Sequence, residues 1–103
     1  MIRVAVVEDD PATVEMVSNA IRATDDITIV WVARSVRSGM ALVVAGGFDV
    51  LLCDLGLPDG SGTTLIAETS RRFPNVDIIV ITIFADQAKV IASIKAGARG
   101  YLL

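Results

Sequence analysis

Two apolar runs in this chain end abruptly in acid. Ile2 to Val7 (IRVAVV) stops at Glu8-Asp9-Asp10, and the run Val50 to Cys53 within Asp49–Asp54 delivers Asp54. A third run, Val76 to Ile81, delivers Thr82. Apolar runs of this length, rich in β-branched residues, read as strands covered on both faces, and in open α/β sheets ligands bind outside the carboxyl ends of such strands. The pattern therefore predicts Asp9, Asp10, Asp54 and Thr82 along one edge of one sheet, converging if the first and third strands are neighbours. Like charges about 4 Å apart repel by roughly 1 kcal/mol in water and about 4 kcal/mol at a partly shielded site, so such a cluster requires a counter-ion or a proton. Hard oxygen ligands with open positions suit Mg²⁺. A metal-neutralised carboxylate beside a hydroxyl suits a phosphoryl group: Asp54 attacks phosphorus and becomes an aspartyl phosphate, with Thr82 among the groups that hold the oxygens.

Each residue also has a plainer reading. Asp54 can be a turn former, because Leu57-Pro58-Asp59-Gly60 is a good turn by itself, with Pro presetting φ and Gly tolerating positive φ. Asp10 precedes Pro11 and can simply cap a helix, a role not open to Asp9. Thr82 can be an ordinary strand end.

The elements that must position these residues alternate along the chain. A helix from about Pro11 to Thr24 carries Val14, Val17, Ala20 and Ile21 at helical spacing, and Ile27 to Ala33 reads as a second strand. Ser35 to Ala45 is a second helix closed by Gly46-Gly47. A third helix starts near Ser61 or Gly62 and ends at Arg71-Arg72, before Pro74. Asp86 can cap a fourth helix ended by Gly97, and Ala98 to Leu103 is the last strand. Five strands alternating with four helices predict an α/β fold, a doubly wound parallel sheet with right-handed crossovers.

Bulk properties narrow the function. A chain of 103 residues is one domain, with 53% hydrophobic against 20% charged residues, and no apolar run approaches a membrane span. A net charge of −3 offers no basic surface for nucleic acid and favours a cation or a basic partner. Cys53 is the only cysteine, so an internal disulfide or multi-cysteine metal site is excluded. The run at Met1 to Val7 is too short for a signal peptide's apolar core, which predicts a cytoplasmic protein without membrane contact.

With these residues in view, the chain from Ile2 to Leu103 resembles the receiver domain of bacterial two-component response regulators. DLGLPDGSG (54–62) and AGARGYLL (96–103) are most similar to the subgroup with a helix-turn-helix output domain. The resemblance implies a flavodoxin-like strand order 2-1-3-4-5, Asp54 as phosphoacceptor, and Asp9, Asp10 and the Gly56 backbone carbonyl as ligands of Mg²⁺. It implies Thr82 as switch hydroxyl and Tyr101 as switch aromatic, though Tyr101 also fits ordinary core. It implies a histidine kinase as phosphodonor in trans, since the chain has no histidine, with DNA reached only through an output domain not in this chain. Three departures stand out. The family's Lys after the last strand and its final helix are absent from this chain, and Ile83 stands where the family carries a small residue. The missing helix predicts a partly bare sheet face and self-association. Two rival readings follow: an interaction-only truncated receiver that is not productively phosphorylated, and an aspartate-based phosphohydrolase. The latter is disfavoured because those enzymes carry a second acid two residues on, where this chain has Gly56.

Overall fold

The computed structural model describes residues 1–81 and 95–102. Five strands form one parallel sheet: β1 (Ile2–Val7), β2 (Ile27–Ala33), β3 (Val50–Cys53), β6 (Asp77–Ile81) and β7 (Gly100–Leu102). Their order is β2-β1-β3-β6-β7. The expected 2-1-3-4-5 order is thus observed, with two extra labels taken up by a short antiparallel hairpin, β4 (Gly56–Leu57) and β5 (Gly60–Ser61). That hairpin was not expected from the sequence beyond its turn. In the β1–β2 pairing the register slips between Val4 and Ala5, so that Ile29 and Trp31 oppose consecutive β1 residues and Val30 is left over as a bulge.

Helix α1 (Pro11–Arg22) begins where Asp10 and Pro11 predict, and α2 (Val36–Val43) has Ser35 as its N-cap within a reciprocal pair of hydrogen bonds with Ser38. Helix α3 (Thr63–Arg72) ends on two arginines that both pair with Glu68. Most of the fourth predicted helix, with Asp86 as its cap, lies outside the described residues, but Lys95 and Ala96 are helical and Gly97 follows at positive φ, as expected for its end. Among the described residues no helix is long and apolar enough to cross a membrane.

Period-two alternation divides the sheet into two faces. Ala5, Val7, Leu51, Cys53, Ile78 and Val80 point to the same side and form one core with Val43 of α2 and Leu65 and Ile66 of α3. Phe48 sits between Trp31 and Phe73, edge-on to each, at centroid distances of 5.7 and 5.9 Å. The other face is less deeply covered: Val4 and Val6 are buried, but Val50, Leu52 and Ile79 are only partly so, and α1 has no fully buried residue. The effect is a rigid half-core directly beneath the carboxyl ends of β1 and β3.

Candidate acidic metal and phosphoryl site

Backbone hydrogen bonds carry the β1 ladder one residue past its apolar run. The Glu8 N–H donates to the Ala33 carbonyl at 2.9 Å, and the Asp54 N–H donates to the Val7 carbonyl at 2.9 Å. Glu8 and Asp54 therefore leave the sheet side by side. Carboxylate oxygens of Glu8, Asp9 and Asp54 all lie within 4.8 Å of one another. Among the described residues no salt bridge reaches any of the three.

The backbone around Asp54 is tightly held. Asp54 Oδ1 accepts the Gly56 N–H at 3.2 Å, and the Gly62 N–H donates to the Leu55 carbonyl at 3.0 Å. Gly62 is buried directly against the Asp54 carbonyl, so closely that a Cβ there would collide with the carbonyl oxygen. No side chain other than hydrogen fits at the start of α3. Gly56, by contrast, is exposed, with open space where a Cβ would stand.

Electrostatics follow from this packing. Glu8 is only 4% exposed, and burial, reinforced by the adjacent Asp54 carboxylate, pushes its carboxyl up to about 8. Without a cation, the cluster thus holds a proton at neutral pH. Beneath it, burial and then the nearby acids push the Cys53 thiol up to about 12. The thiol donates to the Asp54 carbonyl at 3.3 Å, as a neutral core group and not a nucleophile.

The placement of the expected residues differs from the sequence reading at one acid. Asp9 and Asp54 come together, but Asp10 does not join them. Its carboxylate caps α1, with Oδ2 accepting from the Thr13 hydroxyl at 2.6 Å and the Thr13 N–H at 3.3 Å, which holds its carboxyl below its ordinary value. Glu8 takes the place expected for Asp10. The signal was available: Pro11 at the first helical position makes Asp10 the N-cap, which leaves Glu8 and Asp9 as the acids free for the rim. Gly56 follows Asp54 in the hairpin. Thr82 and Ile83 lie outside the described residues. Tyr101 is in β7, paired through its backbone with Val80.

The three acids fit a hard divalent cation: all donors are carboxylate oxygens, they are close enough to share one ion, and among the described residues no salt bridge compensates them. The architecture and sequence also match known proteins. The model of the response regulator receiver domain family matches residues 4–103. Transcriptional regulatory protein CitT of Bacillus subtilis is 33% identical over 103 residues, covering 100% of this chain and 46% of that protein. The chain thus spans about half the length of the curated relatives it matches. A receiver domain protein (CheY-like) from Methanospirillum hungatei superposes with a TM-score of 0.89 at 25% identity, covering 99% of this chain and 80% of that one. A response regulator from Burkholderia pseudomallei, solved with a phosphorylated aspartic acid, calcium ion and citrate, superposes with a TM-score of 0.87 at 24% identity, covering 99% of this chain and 59% of that one. With a family match across almost its whole length and the expected strand order beneath an acidic cluster, this chain belongs to the response regulator receiver domains.

Proposed function

We propose that Asp54 accepts a phosphoryl group, with Glu8, Asp9, Asp54 and the Gly56 carbonyl holding Mg²⁺, and that the modified site switches an interaction surface. The observation that carries this reading is the triad of carboxylates at the ends of neighbouring strands, joined by no salt bridge among the described residues. Bound Mg²⁺ would supply charge neutralisation on both the acids and the phosphoryl oxygens. The chain's own residues do the rest. Asp54, fixed from both sides by the Val7 carbonyl and the Gly56 N–H, presents an oxygen to phosphorus. As its O–P bond forms, the bond to the donor's leaving group breaks; for a phosphohistidine donor the electron pair returns to the imidazole, which takes up a proton. Burial beside Asp54 favours the protonated form of Glu8, and a bound cation would favour its carboxylate instead.

Phosphorylation adds about −1.5 to −2 charges to the rim, enough to draw a neighbouring hydroxyl towards the phosphoryl oxygens. Thr82 in that role, with Tyr101 following it, remains part of the proposal on the strength of the family resemblance. A histidine kinase is the proposed donor. DNA is the proposed ultimate target only through a further domain, as the name of the transcriptional relative suggests. Intact-mass measurement with acetyl phosphate tests the core of the reading. Parent protein gains one phosphoryl group only with Mg²⁺ present, and Asp54→Asn gains none. Labelling of Asp54→Asn equal to that of the parent would refute it.

A further inference from the structure

We infer that Asp59 is a positioning residue for the acidic site, closing a ring of backbone contacts that holds Gly56 and Asp54 in register with Glu8. The inference rests on the reading above that this cluster binds a cation. Asp59 is at the tip of the β4–β5 hairpin, yet its carboxylate is spent on a distant helix. Oδ1 accepts the Val36 N–H at 2.8 Å and Oδ2 accepts the Arg37 N–H at 3.0 Å. Ser35 Oγ takes the next amide, Ser38 N–H, at 3.1 Å. The first three free amides of α2 are thus all satisfied, two of them from another part of the chain.

The ring can be followed bond by bond. Glu8 N–H is held by the Ala33 carbonyl, and only Arg34 and Ser35 separate Ala33 from Val36. From Val36 and Arg37 the path crosses to Asp59, runs back through Pro58 and Leu57 to Gly56, and reaches the Asp54 carboxylate through the Gly56 N–H. Asp54 N–H closes it on Val7, next to Glu8. Among the described residues, the two Asp59 bonds are the only hydrogen bonds between residues 55–61 and residues 34–37. Leu57 is buried and a Cβ at Gly60 would stand 3.6 Å from Val36, so the hairpin lies against α2, but among the described residues only Asp59 ties it to that helix by directional bonds. Its carboxyl is held below the ordinary value by those two amides, consistent with a persistent charged cap.

Helix stability and site positioning can be separated, because Ser35 caps the same helix through Ser38 and, among the described residues, makes no hydrogen bond to the hairpin. The experiment compares Asp59→Ala, Asp59→Asn and Ser35→Ala with the parent by Mg²⁺ calorimetry, thermal melting and amide hydrogen exchange at Gly56. Losing a cap worth about 1 kcal/mol corresponds to about fivefold in an equilibrium, so both alanine variants should melt lower. Only Asp59→Ala should speed Gly56 exchange and weaken Mg²⁺ binding, each by about fivefold, on the same cap energy. Asp59→Asn, keeping one acceptor, should fall between. Unchanged Gly56 exchange in Asp59→Ala overturns the inference, as does faster exchange with unaltered Mg²⁺ affinity, or an equal effect from Ser35→Ala. If the parent itself binds no Mg²⁺, the proposed function fails, and Gly56 exchange alone then decides whether Asp59 holds the hairpin.

Discussion

Replacing Glu8 by Gln should stabilise the cation-free protein at alkaline pH and weaken its hold on Mg²⁺. Glu8 is raised to about 8 from an ordinary value of 4.5. A carboxyl raised on folding binds more protons in the native state, so its contribution is fully present below pH 4.5 and is lost as pH rises through 8. Like charges within 4.8 Å repel by about 1 kcal/mol in water and about 3 kcal/mol at an effective dielectric near 20. Desolvation of a group so deeply buried adds to that, and the rise from 4.5 to about 8 corresponds by linkage to a loss of about 4 kcal/mol between pH 5 and 8.5. For a domain of this size, that corresponds to a melting temperature lower by about 10 °C or more. Gln has nearly the same shape and can donate to Asp54 without ever charging. Thermal melts of parent and Glu8→Gln in EDTA across this range should therefore diverge, the parent falling and the variant staying nearly flat. Saturating Mg²⁺ should abolish the parent's slope, because the cation replaces the proton. Parallel melting curves for the two proteins in EDTA would refute the reasoning.

Three further outcomes are expected. Asp10→Ala should lower stability by about 1 kcal/mol through loss of the α1 cap while leaving Mg²⁺ affinity within about twofold, measurable by urea titration and calorimetry. Thr69 is fully buried and its hydroxyl has no hydrogen-bond partner among the described residues, so Thr69→Val should be neutral or stabilising by about 1 kcal/mol in urea unfolding; a clear loss of stability would mean the hydroxyl has a partner. The Arg3 guanidinium and N–H hold the Asp49 carboxyl down to about 2, so its contribution is present above pH 3.8 and is lost as pH falls through 2. Asp49→Asn should accordingly flatten the acid limb of the stability profile and leave it unaltered above pH 5.

The strands and the place of Asp54 at the end of one of them were legible because they rest on local pattern, whereas the strand order came from the family resemblance. Ile2 to Val7 and Val50 to Cys53 are apolar without interruption, which only a two-sided sheet explains, and Asp54 follows immediately. The assignment of the acids was harder because Glu8, Asp9 and Asp10 are consecutive, and their roles depend on where the ladder stops and the helix begins. One residue decides it. The hairpin was read only as a turn, since two-residue strands have no periodicity of their own. Asp59 could not have been singled out at all: its partners are 22 and 23 residues away, and nothing local distinguishes a carboxylate that ends a turn from one that reaches another helix.

The leftover residue in β2 has a consequence for how such chains associate. β2 is an outer strand of the sheet, and a straight outer strand is an invitation for another chain to add to it. Val30 interrupts the repeat midway, so the backbone beyond it is rotated out of step with the backbone before it. An incoming strand can match one half or the other, but not both. The irregularity thus makes this margin of the sheet a poorer template for edge-to-edge addition than a straight strand would be.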